Sequence, residues 1–187
     1  PLYINTMACD YTIGLPFPCK DAIGGIKDIC WIALGDAKWG AIAAGAVADT
    51  TAAMTMFRFE LTKNSGSFQQ EISSSIENGT VYFTQTLTIQ TPVMTAAITA
   101  ELHNVMKNRM AIVVRDNNDN FHIMGYSCGA EVSGGNLGTG TAKGDLSGYN
   151  LVFTAEEKVP APFFIDMTDS TARGALTGAI TLTPDYY

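Results

Sequence analysis

The chain has 187 residues, of which 47% are apolar and only 16% charged, with a formal net charge of -7 and a pI near 4.6. That balance argues against a nucleic-acid binder held by phosphate contacts, which needs clustered Lys and Arg, and no stretch reaches the roughly 18 apolar residues of a membrane helix. Soluble domains carry about a quarter charged residues, so a lone copy must expose uncharged or apolar surface, and burial between copies is the simplest remedy.

In chain order, the N-terminal stretch PLYINTMACDYTIG has no basic segment followed by an apolar one, so no secretory leader is read there and synthesis in a cytoplasm is expected. Residues 26–34, IKDICWIAL, read as a buried strand. Residues 35–55 are rich in Gly, Ala and Thr without a clean period and read as a loop or arm. In MFRFEL, 56–61, Phe57 and Phe59 alternate with Arg58 and Glu60, the period of a half-buried strand.

The most informative segment is 67–90, SFQQEISSSIENGTVYFTQTLTIQ. Asn78-Gly79 is the strongest short hairpin signal, since a two-residue type I′ turn needs positive φ at both central residues. Folding about that pair sets Ser75 opposite Tyr82, Ser73 opposite Thr84, Glu71 opposite Thr86 and Gln69 opposite Thr88, with Glu77 opposite Thr80. All of these are polar. The other face carries Phe68, Ile72, Ile76, Val81, Phe83, Leu87 and Ile89 and is largely apolar. One register thus sorts both strands into the same two faces. Ten-residue arms at about 3.4 Å per residue make a ribbon of roughly 34 Å.

Pro92 ends the ribbon, and 95–108 read as a helix with Ile98, Leu102, Val105 and Met106 on one face. A second hairpin follows, Ala111–Val114 and Phe121–Tyr126 about the turn 116–120, DNNDN. Residues 134–140, GGNLGTG, read as a loop; YNLVFT, 149–154, as a strand; and Ala175–Thr183 as the last strand. Without a linker, repeat or composition break, the chain reads as one domain over 1–187, with extended arms or loops at 1–25 and 35–55.

No chemical motif survives inspection. In GTGTAKGD, 138–145, Lys143 is followed by Gly144 and not by the Ser or Thr of a phosphate loop. Asp116, Asn118 and Asn120 imitate a calcium loop, but Phe121 stands where its glycine belongs and Ser127 where its bidentate Glu belongs. Asn78-Gly79-Thr80 matches a glycosylation sequon, but the hairpin accounts for it. His103 and His122 lack a second ligand at metal spacing, and Glu156-Glu157 would point to opposite faces of a strand. Cys9, Cys19, Cys30 and Cys128 show no zinc-like spacing and read as buried small side chains. No catalytic residue, cofactor or metal site is therefore assigned, and the chain is not read as an enzyme. From Asn64 to Met106 there is no Lys or Arg, while Glu71, Glu77 and Glu101 occur.

IENGTVYFTQTLTI (76–89), the helix, AIVVRDNNDNFHIMGYSCGAEVSGG (111–135) and GTGTAKGDLSGYNLVFTAEEKVPAPFF (138–164) together resemble tail tube proteins of tailed phages infecting Bacteroidetes-type hosts, over roughly residues 57–164. The resemblance implies a mainly β (α+β) fold, a β-sandwich or barrel with one flanking helix and a long hairpin. It implies hexameric rings that stack, with hairpins joined into a barrel that lines a channel for DNA during ejection. The partners implied are other copies of the chain and other tail proteins, and the location is the virion tail. On that reading Gln69, Glu71, Ser73, Ser75, Glu77, Tyr82, Thr84, Thr86 and Thr88 line the channel and Asn78-Gly79 forms the turn. A polar wall free of Lys and Arg suits a sliding polyanion. Head–tail joining and capsid decoration proteins are the alternatives within the structural class. A β-sandwich carbohydrate-binding module is the alternative outside it, with Trp31 and Trp39 as platform candidates, though Trp31 reads better as core.

Overall fold

The structure, a computed structural model, describes residues 22–92, 94–176 and 178–185. Cys9, Cys19 and nearly all of the 1–25 arm lie outside the described residues. The described elements are β1 (Ile26–Ala33), β2 (Ile42–Ala43), β3 (Ala46–Val47), β4 (Met54–Glu60), β5 (Gly66–Ser75), β6 (Thr80–Thr91), α1 (Ala96–Val105), β7 (Met110–Asp116), β8 (Phe121–Met124), β9 (Glu131–Gly138), β10 (Gly148–Glu157), β11 (Phe163–Phe164), α2 (Ser170–Ala175) and β12 (Ile180–Thr183). The fold is mainly β, with a curled half-barrel sheet and a second sheet. The first sheet has the order β12-β4-β1-β7-β8-β11-β3-β2 and the second β5-β6-β10-β9.

Strands β1 and β7 are central in the larger sheet and buried on both faces, which explains their unbroken apolar runs. One face meets the four-stranded sheet: Ile29, Trp31, Ile112 and Val114 pack with Leu87, Ile89, Leu151 and Phe153, and α1 adds Leu102 and Val105. Trp31 stacks on Phe59 at 5.2 Å, so it is core and no binding platform. The opposite face, with Cys30, Ile32, Val113 and Ile123, curls around Met56, Phe164 and Met167. The one buried charge of β1 is Asp28, which lies 3.6 Å from Arg58 and 3.4 Å from Arg115, so the buried carboxylate is compensated.

Several expectations need correction. A second helix, α2, was not anticipated; it is six residues long, too short to show a period, and is capped by Asp169, which accepts from the amides of Thr171 and Ala172. It takes the start of the segment read as a last strand, leaving β12 only Ile180–Thr183. Residues 35–55 are not simply an arm: β2 and β3 form a small hairpin, β3 pairs with β11, and β4 begins at Met54. Met106 caps the helix and stands exposed rather than packing with Ile98, Leu102 and Val105. Cys30 is buried as expected, but Cys128 is exposed, because its backbone amide is held by Glu157 and its side chain is left outside.

Residues 134–138 are strand, not loop. Gly135 has φ +154, and a Cβ there would lie 2.4 Å from the Asn150 carbonyl oxygen. Glycine here permits close pairing of β9 with β10 beside a bulge, so Gly135, which read as part of a loop, is what lets the strand pair. Gly135→Ala is expected to cost at least about 1–3 kcal/mol, with amide-exchange protection lost in β9 while β1 and β7 keep theirs. Uniform loss or no loss would contradict this.

Candidate functional site

The long hairpin forms, but with a wider turn. Ile76–Gly79 is a four-residue loop, Ser75 pairs with Thr80, Ser73 with Tyr82, Glu71 with Thr84 and Gln69 with Thr86. The register therefore differs by two from the tight-turn expectation. The physical reason is local: Gly79 has φ +61, but positive φ among the described non-glycine residues occurs only at Ala44, Asn64 and Asp119, so Asn78 does not take the conformation a type I′ turn requires. Asn78 instead donates its amide to the Ser75 hydroxyl. A slip of two restores every strand side chain to the same face. The sorting of Gln69, Glu71, Ser73 and Ser75 with Tyr82, Thr84, Thr86 and Thr88 thus survives, while Glu77 moves from the strand into the turn.

The sheet extends this polar face. Thr84 pairs onward with Glu156, and Thr86 with Thr154, which pairs with Glu131. Glu71, Thr84 and Glu156 therefore form one row, and Gln69, Thr86, Thr154 and Glu131 the next. Glu131 is bound at 2.5 Å by Arg109, and Ser133 and Thr154 share a 2.7 Å hydrogen bond. None of the four strands contains Lys or Arg. The β10 contribution of Asn150 and Thr154 was legible as alternation in YNLVFT; that the strand runs on to Glu157, which brings Glu156 to this face, and that β10 lies beside β6 were not.

The other face changes character along the ribbon. Near its base Leu87 and Ile89 are buried between the sheets. Beyond the last β10 pair, Glu157 with Phe83, the hairpin leaves the body of the fold. There Ile72 is 71% exposed, Ile76 96% and Val81 54%. Where the ribbon departs, two buried side chains tie it to the loop after β8: Gln85 accepts from the Gly125 amide at 3.0 Å, and Glu157 accepts from Ser127 and Cys128 at 2.8 and 2.7 Å. Glu156 and Glu157 do point to opposite faces, as adjacent strand residues must. The Glu157 charge pushes the Cys128 thiol up from its ordinary value.

A cleft of about 270 Å³ lies beside β5, lined by Ile23, Ser67, Phe68, Asp116, Asn118 and His122 among others. His122 sits 4.6 Å from the Phe163 ring and 3.8 Å from Asp116. Burial drives its pKa below 6.5, against the pull of Asp116. Asp116 serves the turn: its carboxylate accepts from the amides of Asn118 and Asn120, each at 2.8 Å. Burial opposes its charge, but these bonds outweigh it and hold the carboxyl below 3.8. Hydrogen bonds from Lys27 and Arg115 do the same for Asp119, and the Ala142 and Thr141 amides for Asp145. Among the described residues no group of three His, Cys, Asp or Glu side chains could hold a metal, and no helix is long and apolar enough to cross a membrane.

The His122 and aspartate shifts all act in one direction with pH. His122 has a depressed folded pKa, so its stabilising share is present above 6.5 and is lost as pH falls through the folded value. The three aspartates contribute above 3.8 and lose that contribution as pH falls through their lower folded values. Urea midpoints should therefore fall in two stages on acidification. The first stage should vanish in His122→Gln; its persistence there would assign it to another group.

Trp39 meets Phe164 in a T-shaped contact at 5.3 Å and is half-buried, whereas Trp31 is buried. Comparison of the chain with family models, curated proteins and solved structures found no match.

Proposed function

We infer that the protein is a structural subunit, a tail tube protein that assembles into stacked, sixfold rings through which DNA leaves a phage particle, and not an enzyme. The observation that carries this is the hairpin: its distal half projects beyond the fold with an uncovered apolar face, while the opposite face is polar and free of Lys and Arg. A projecting ribbon with an open edge on β5 is an aggregation hazard for a solitary molecule and an asset in an intended assembly. In this reading Gln69, Glu71, Ser73, Ser75, Tyr82, Thr84, Thr86 and Thr88 line the channel, Thr154 and Glu156 of β10 extend it, and Glu77 stands at its rim. The partners are other copies of the chain and further tail proteins, and DNA passes without specific binding. Electron microscopy of the purified protein tests the reading: rings or tubes support it, and a monodisperse monomer at high concentration refutes it.

A further inference from the structure

The chain enters β1 through a fixed point. The Asp116–Asn120 turn grips the three residues ahead of that strand. Asn117 donates its amide to the Gly25 carbonyl at 3.0 Å and its side-chain Nδ2 to the Gly24 carbonyl at 2.6 Å. The Asn118 side chain accepts from the Ile23 amide at 2.9 Å and donates to the Ile23 carbonyl at 2.8 Å. Ile23 and Gly25 line the cleft of about 270 Å³ whose facing wall is Ser67, Phe68 and Gln69. A Cβ on Gly66, the first residue of β5, would lie 2.4 Å from Ile26 Cδ1. The segment that precedes Ile23 therefore sets out beside the root of β5.

Strand β5 is an edge of its sheet. The Ser65 carbonyl accepts from the Gln90 amide at 2.7 Å, and the register runs without a bulge to Ser75 and Thr80. Bonding alternates along such a ladder, so Ser67, Gln69, Glu71 and Ser73 face β6, while Phe68, Gln70, Ile72 and Ser74 turn amide and carbonyl outward. A row of outward backbone groups is a template for one more strand.

The sequence holds a strand of matching length. In residues 9–15, Cys9, Tyr11, Ile13 and Leu15 alternate with Asp10, Thr12 and Gly14, the period of a strand with one apolar face. Pro16 and Pro18 close that run. Residues 9–15 equal in number those from Phe68 to Ser74. Residues 16–22 span up to about 25 Å, enough to lead from the β5 root to Ile23. Residues 9–15 run toward that root and β5 runs away from it, so the two are antiparallel. Counted from the root, Leu15 stands opposite Phe68, Ile13 opposite Gln70, Tyr11 opposite Ile72 and Cys9 opposite Ser74, which puts the apolar positions of both on one face.

We propose that residues 9–15 of the same chain pair with the outer edge of β5 in the free molecule and cap it until a neighbouring copy displaces them. The cap itself is independent of the tube reading; only the displacement rests on it. Strand addition of this kind draws its affinity from main-chain hydrogen bonds and its register from the alternate side chains.

Amide exchange in the full chain tests the cap. The amides of Phe68, Gln70, Ile72 and Ser74 should be protected in wild type. Ile13→Pro removes the donor opposite Gln70 and should speed their exchange about tenfold or more. Gln69, Glu71 and Ser73, which face β6, should keep their protection, and the urea midpoint should not move. Ser74→Cys gives a second readout. Under mild oxidation it should link to Cys9 within one chain, because an antiparallel pair sets its Cα atoms about 5.5 Å apart, inside disulfide reach. Ser73→Cys, on the polar face, should not link. Free exchange of the outward amides in wild type overturns the proposal, as does protection that survives Ile13→Pro. A link to Cys9 that joins two chains assigns the edge to a neighbour's segment and overturns it too. Where wild type assembles, Ile13→Pro should assemble at lower concentration, and an unchanged threshold overturns the displacement. If wild type forms no rings, the tube reading falls while the exchange pattern still decides the cap.

Discussion

On the proposed tube, Glu71→Lys with Thr86→Lys is expected to leave the fold and assembly intact and to slow or block DNA ejection, with the defect relieved by salt. Glu71 is exposed on β5, and Thr86 is half-buried between Gln69 and Thr154 on the polar face. A lysine at position 86 can run its stem along the sheet and keep its ammonium in water. Every strand of this sheet lacks Lys and Arg, so the two substitutions introduce the first strand cations on that face. The row that wild-type Glu71 shares with Thr84 and Glu156 repels phosphate within a Debye length of about 8–10 Å. Lysines repeated around a ring would instead release counterions from DNA. With 6–10 phosphate contacts, affinity falls by about 10³–10⁵ between 50 and 200 mM salt. Ejection rate measured across that salt range should recover steeply for the variant and change little for wild type. Thr86→Gln with Glu71→Gln is the neutral control and should eject normally. Lysine variants that fail to fold or assemble would show that this face is buried, and the channel assignment would be wrong.

Phe153→Ala is expected to give the largest loss of stability, about 3–5 kcal/mol, at unchanged urea m-value. Its ring is fully buried between the two sheets, 6.4 Å from Trp31, on a strand whose neighbours present Leu87 and Val132. Deleting it removes apolar contact on both sides of the sheet interface and leaves a cavity that the flanking strands, pinned by their ladders, cannot close. Domains of this size have about 5–15 kcal/mol to lose, so assembly at 37 °C should fall with it. Leu137→Ala, at an exposed position on β9, should stay within about 0.5 kcal/mol of wild type. A Phe153→Ala loss below about 1.5 kcal/mol, the range of a conservative apolar swap, would mean that the sheets are not tightly packed there.

The sequence by itself determined the elements whose physics is local. Period-two alternation sorted the hairpin into a polar and an apolar face, and that sorting survives a two-residue change of register because a strand repeats every two residues. The apolar stripe of α1 and the Asp116–Asn120 turn were legible for the same reason, since each rests on neighbours a few residues apart. Tertiary structure decided the rest. It placed β10 beside β6, which carries Glu156 into the row of Glu71, and it turned residues 134–138 into a strand, because the close approach of Gly135 to Asn150 exists only once β10 is present. It also showed that the apolar face of the ribbon is covered at Leu87 and Ile89 and bare at Ile72, Ile76 and Val81. Alternation states which face is apolar; only the position of the second sheet states where along the strand that face runs out of partners.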